Sequence, residues 1–181
     1  MGAIVVNAKQ SEVAGTQSPL RKYWILFTVF PALVAIDQWT KQLIHAKFRL
    51  HESIPVIDGF FSITYVRNTG AAFSMLADAG GWQRIFFVAV AVVASAWVLW
   101  LLRRHPEQKL FCLALGLILG GAVGNLIDRA LFGSVVDFVQ VHYAGWYFPA
   151  FNVADSAITV GAGLLIWDAL RPQQSGQGTT T

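Results

Sequence analysis

Charge is what this 181-residue chain has least of: 13% of its residues are Asp, Glu, Lys or Arg, about half the ~25% of an ordinary soluble domain. With 55% of residues hydrophobic and a mean hydropathy of +0.53, that shortage excludes a disordered chain and argues against a water-soluble globule. Cysteine is nearly absent. The single thiol, Cys112, excludes an internal disulfide and with it a small secreted scaffold held by bridges. Basic runs are missing too. Thirteen Lys and Arg and a net charge of +3 are scattered along the chain, which speaks against nucleic acid as a partner and leaves membrane topology to account for them. There is no HExxH pair and no GxSxG turn, and His45, His51, His105 and His142 are dispersed. Neither a metal site nor a serine nucleophile is therefore supported, and Cys112, mid-span and without a partner, reads as a small buried apolar residue. No cofactor is implied. What the chain has in quantity is aromatic: seven Trp, thirteen Phe and four Tyr suit a protein solvated by lipid, with rings available for both interfaces.

A spanning helix needs about 20 mostly apolar residues, and the length prior allows one domain. Residues 85–102 and 110–127 carry no ionisable side chain; the first ends at Arg103-Arg104, the second at Asp128-Arg129. Residues 23–44 are apolar except for Asp37, and 153–170 have Asp155 in the first turn and Asp168 at the far end. Both are predicted spans, making a four-transmembrane-helix bundle over 23–170. Arg21-Lys22, an apolar stretch and Leu33-Val34-Ala35 loosely imitate a cleaved signal peptide. The helical pattern, however, runs on to Ile44, where a mature chain would become extended. The leader at 1–22 and the tail at 171–181 are polar and read as disordered and cytoplasmic.

Four spans place both termini on one side. Seven basic residues and three acids fall on the terminal side, six basic residues and seven acids on the other, so both termini are predicted cytoplasmic by the excess of Lys and Arg. On the outer side, FFSITYVR (60–67) puts Phe61, Ile63 and Tyr65 on one face and Ser62 and Thr64 on the other. That is the period of a strand in a small surface sheet. A short apolar helix or loop over 71–76 follows. Gly116, Gly120 and Gly124 in the third span, and Ala157 and Gly161 in the fourth, have the spacing that lets helices approach closely in lipid, so these spans are expected to pack compactly.

Ionisable groups at membrane depth are costly unless paired or functional, and here they gather at the outer rim. Asp37 and Lys41, at i and i+4, suit a helix-end ion pair or a grip on a lipid headgroup or substrate backbone. Asp128-Arg129 reads as a charged helix stop or a carboxylate-held strut, with Asn125 one turn earlier bonding across helices. Asp137, in VVDFVQV, and Asp155, in FNVADSA, have no basic neighbour in sequence. Two such carboxylates brought together share a proton, so one can activate water while the other acts as acid. Asp155 beside Asn152 is equally a helix cap worth about 1 kcal/mol. A transport or proton-relay subunit would want acids at mid-bilayer depth and on both sides, and a scaffold would tolerate loss of Asp137.

In order and spacing, IDQWTK (36–41), RNTGAAFS (67–74), GGAVGNLIDR (120–129), VVDF (135–138) and FNVADSAITVG (151–161) resemble the motif blocks of the bacterial lipoprotein signal peptidase family, also called signal peptidase II. The resemblance implies an aspartyl intramembrane endopeptidase of the inner membrane, active at its periplasmic face. Such an enzyme cuts signal peptides from diacylglyceryl-modified prolipoproteins just before the lipidated cysteine, and membrane phospholipid is its other partner. It maps the catalytic pair onto Asp137 and Asp155. The supporting residues fall on Asp37, Lys41, Asn68, Gly70, Asn125, Asp128, Arg129, Asn152 and Ala154. A surface sheet and a flap helix at 71–76 belong to the same implied fold.

Overall fold

The uncharged runs become helices in the computed structural model of this chain, which describes residues 24–70 and 81–171. The element order is α1 (Trp24–Phe27), α2 (Val29–Lys47), β1 (Ser53–Ile57), β2 (Phe61–Asn68), α3 (Trp82–Arg104), α4 (Lys109–Phe132), β3 (Val135–Tyr143), β4 (Trp146–Tyr147) and α5 (Val153–Leu170). The expected leader, the segment at 71–76 and all but the first residue of the expected tail lie outside the described residues.

Among the described residues, α3, α4 and α5 are long and apolar enough to cross a membrane. Their 23, 24 and 18 residues correspond to about 35, 36 and 27 Å against a hydrocarbon core of ~30 Å. The expected spans at 85–102 and 110–127 are the middles of longer helices. The expected span at 23–44 is divided at Thr28, whose φ of −122° and ψ of −66° interrupt the helix, and α2 turns Asp37 and Lys41 inward. α3 buries little and presents Ile85, Val93 and Trp97 outward, as a helix solvated by lipid does.

Helix α4 is the centre of the bundle, packed by α1, α2, α3 and α5. A Cβ at Gly116 would meet Ile25, one at Gly120 would meet Leu33, and one at Gly124 would stand 2.6 Å from the Asp37 carboxylate. The four-residue glycine stripe therefore seats α1 and α2. The expected close pairing of the last two spans does occur, at the expected Gly161, which faces the Ala114 carbonyl 2.7 Å from where a Cβ would be, and also at Gly121, which lies under the Ala154 carbonyl. At the other end of the bundle Ile25, Val98, Leu102, Leu115 and Leu119 form an apolar core with Cys112. The buried Cys112 thiol donates to the His105 carbonyl at 3.1 Å.

The four strands form one antiparallel sheet in the order β1-β2-β3-β4. β2 starts and ends one residue later than expected, and its faces differ from the simple alternation: the polar Ser62 and Thr64 are buried, with Tyr65 beside them. An irregularity between Ile63 and Val66 breaks the period. Ser62 Oγ meets His142 Nε2 at 3.0 Å, and Thr64 Oγ1 donates to the Glu52 carbonyl at 3.1 Å, so the buried hydroxyls are satisfied. Strand β3 is not expected from the sequence. Its pairing of Val66 with Asp137 and Asn68 with Val135 carries the outer segment to the ends of α4 and α5.

Candidate active site

Four elements meet where α4 ends and α5 begins. Gly133, at φ +74°, terminates α4, and Asp128 and Arg129 lie in its last two turns. β3 follows and carries Asp137. The chain returns through Phe151, which bridges to Val139, and starts α5 on a capping box: Asn152 Oδ1 accepts from the Asp155 amide at 2.9 Å, and Asp155 Oδ2 accepts from the Asn152 amide at 3.2 Å. The reciprocal bonds satisfy two amides that a helix start otherwise leaves unpaired. Capping is thus a real part of the Asp155 environment, as the sequence allows, and it leaves Asp155 Oδ1 for another partner.

Asn152 does more than cap. Fully buried, it sends its side-chain nitrogen to Asp137 Oδ1 at 2.7 Å, while its backbone nitrogen holds Asp155. One residue therefore touches both carboxylates. Asn68 Nδ2 donates to Asp137 Oδ2 at 3.1 Å, and Asn125 Nδ2 donates to Asp155 Oδ1 at 2.8 Å. Asp137 is 3% exposed. Burial, and after it the charge of Asp155, push its carboxyl up from 3.8 to about 7, against the opposing pull of the Asn68 and Asn152 hydrogen bonds and the Lys41 charge. Near neutral pH Asp137 is thus divided between its protonated and ionised forms.

Beneath this pair Lys41 is buried and uses all three of its donors: Asp37 Oδ2 at 2.8 Å, Asp128 Oδ2 at 3.1 Å and Asn125 Oδ1 at 3.0 Å. Breaking a buried pair of this kind costs about 3–5 kcal/mol. The helix-end ion pair is real, and it belongs to a larger network. Asp37 also accepts from the Ala154 amide at 2.9 Å, and Asp128 from the Val136 amide at 3.3 Å. Arg129 donates to the Gly70 carbonyl at 3.0 Å and lies over the Phe87 ring at 5.1 Å. Gly70 in turn gives its amide to Asn68 Oδ1 at 2.9 Å. All eleven residues singled out in the sequence meet here.

Asn68, Asn125, Arg129, Asp137 and Asp155 line a cavity of about 540 Å³, together with Phe148–Phe151 and with Ile158, Thr159 and Val160 of α5. A few polar groups thus share a trough whose lining is otherwise mostly apolar, the usual form of a site that binds an apolar chain and acts on a polar bond. Among the described residues no cluster of His, Cys, Asp and Glu is arranged to hold a metal; amides and Lys41 occupy the carboxylate oxygens instead. Sequence reasoning missed Gln38, whose amide bonds Asp128 Oδ1 at 2.9 Å, and the 148–151 wall. Gln38 sits inside IDQWTK but carries no charge to draw notice in a helix.

Residues 29–171 match the family described as signal peptidase (SPase) II. The chain is 52% identical over 163 residues to a lipoprotein signal peptidase of Cupriavidus taiwanensis, covering 90% of each chain. It is 49% identical over 159 residues to one of Pseudomonas syringae pv. tomato, covering 87% of this chain and 91% of the relative. A bacterial membrane enzyme solved by the in meso method at 2.3 Å resolution has a similar fold, with a TM-score of 0.75 at 30% identity, covering 90% of this chain and 95% of that one.

Proposed function

The chain belongs to the signal peptidase II family and is a lipoprotein-processing protease, and from that premise we propose that it is an aspartic endopeptidase in which Asp137 and Asp155 together activate water. Its substrates are diacylglyceryl-modified prolipoproteins, cut on the N-terminal side of the lipidated cysteine. The observation that carries this reading is Asn152, which bonds both carboxylates and fixes them in the lining of one cavity.

The signal helix of the substrate lies along the apolar trough, and its lipidated cysteine brings the scissile bond to the acids. Asp155, ionised, takes a proton from water as the oxygen attacks the peptide carbonyl. Asp137 gives its proton to the carbonyl oxygen, and a gem-diol forms. On collapse, Asp155 delivers the proton to the departing nitrogen, the C–N bond breaks, and Asp137 recovers a proton from a gem-diol hydroxyl. Amide nitrogen leaves poorly without that proton, so both acids are needed. Asn68, Asn125 and Asn152 hold the carboxylate oxygens in orientation. Arg129 Nε, buried and without a partner among the described residues, is a donor available to substrate backbone.

The membrane reading is of the same kind. We place α1 and α2 as the first of four spans, because Asp37 and Lys41 are shielded inside the bundle and not turned toward lipid. The acids gather at the outer end and the excess Lys and Arg at the other, which supports cytoplasmic termini and a site at the periplasmic face of the inner membrane. In cells whose own lipoprotein signal peptidase is depleted, Asp137→Asn and Asp155→Asn should insert normally yet accumulate lipid-modified precursor, with processing reduced about 10²–10⁴-fold or more. Wild-type processing by either variant would refute the reading.

A further inference from the structure

We infer that Gln38 is a positioning residue for the Asp137–Asp155 pair: its amide nitrogen ties together Asp37 and Asp128, the two carboxylates that grip the backbone immediately before each member of that pair. The inference rests on the aspartic reading above. Ala154, whose amide Asp37 holds at 2.9 Å, precedes Asp155; Val136, whose amide Asp128 holds at 3.3 Å, precedes Asp137. A slide of Asp37 relative to Asp128 is therefore passed to the dyad through two single-residue links.

Two ties oppose that slide. Lys41 Nζ reaches Asp37 Oδ2 at 2.8 Å and Asp128 Oδ2 at 3.1 Å. Gln38 Nε2 reaches Asp128 Oδ1 at 2.9 Å, the Gly124 carbonyl at 3.1 Å and Asp37 Oδ2 at 3.3 Å. All three neighbours of that nitrogen are acceptors, which fixes the amide with nitrogen inward. An ammonium is a compact charge about which two carboxylates can swing. Gln38 bonds the other oxygen of Asp128, so the second tie blocks the rotation that Lys41 alone permits. It adds no charge to a buried cluster that already holds two acids and one cation. Gln38 does not line the cavity; its effect is on the geometry of the acids and not on substrate affinity.

The test uses the purified full-length enzyme in detergent with a lipid-modified precursor, comparing wild type, Gln38→Met, Gln38→Glu and Asp137→Asn. Gln38→Met keeps the side-chain length and removes the amide. It should lower kcat about tenfold or more with KM within about twofold, since orientation contributes to the chemical step and not to uniform binding. Gln38→Glu faces Asp37 and Asp128 with Lys41 as the neighbouring cation, and donates only when protonated. Its kcat relative to wild type should therefore recover as pH falls from about 8 to about 5. A merely structural role would lower the melting temperature and the folded yield while leaving kcat per folded enzyme and its pH profile unchanged, and that result overturns the inference. If Gln38→Met fails to fold, the pH recovery of Gln38→Glu decides the matter, and its absence overturns the inference too. An inactive Asp137→Asn beside a fully active Gln38→Met removes this inference alone; an active Asp137→Asn removes the aspartic reading and this inference with it.

Discussion

Among the described residues, Asp137 has the carboxyl displaced furthest by its surroundings. Its carboxyl is displaced from 3.8 to about 7 by burial and by Asp155. If it gives a proton to the substrate carbonyl, cleavage should fall as pH rises through about 7, and that alkaline limb should be visible in kcat measured on a lipidated precursor. The same displacement bears on stability. Below pH 3.8 folded and unfolded chains both hold the proton; between 3.8 and about 7 only the folded chain holds it, so rising pH weakens the fold across that window. Asp137→Asn should remove this slope from a melting-temperature series and fix the side chain in a neutral form. Residues of this kind were readable in the sequence because charge is scarce: a carboxylate in VVDFVQV with no cation nearby cannot be a solvated surface group. Asn152 was half readable, as a cap. Its bond to Asp137 crosses from the cap of α5 to β3, and nothing local reports such a contact. Gln38 was not readable, since a glutamine next to an acid on a helix has no distinctive pattern.

At the scale of elements, the apolar runs identify α3, α4 and α5 because lipid imposes length and the absence of charge together. The break at Thr28 escapes such reasoning, as does β3, whose Val135 and Val136 point to no single alternating face. β2 was placed to within one residue, and its expected alternation holds from Phe61 to Thr64 and fails at Tyr65, because the irregularity between Ile63 and Val66 resets the period. The glycines show how far spacing reaches: four-residue repeats announce close packing without saying against what. Two glycines of α5 offer a paired test. A Cβ at Gly161 would lie 2.7 Å from the Ala114 carbonyl and from Ile118, whereas one at Gly163 would meet nothing within 4 Å. Gly161→Ala must push α5, and Asp155 with it, away from α4, at a cost of about 1–3 kcal/mol and with loss of activity. Gly163→Ala should be neutral or stabilise by about 0.5–1 kcal/mol through helix propensity. Thermal unfolding in detergent reads both, and equal shifts would contradict the packing described.

Across the whole molecule, function follows from where charge is tolerated. The bundle keeps an apolar core around Leu115 and Cys112 at one end and gathers Asp37, Lys41, Asp128, Asp137 and Asp155 at the other. The site is held by long-range bonds: α2 to α4 through Lys41 and Asn125, α4 to α5 through Asn125 and Asp155, β2 to β3 through Asn68 and Asp137. The motif blocks announced this site by their order; the bonds that join them depend on side-chain directions and on a sheet that the sequence only half disclosed. The central claim is that both acids act on one water in a mostly apolar trough, and cleavage of a purified, lipid-modified precursor tests it most directly. Wild-type enzyme should cut the lipidated precursor and leave its unlipidated counterpart intact, while Asp137→Asn and Asp155→Asn each lose about 10³-fold or more in single-turnover rate. Retention of a rate within about tenfold of wild type by either variant would contradict it.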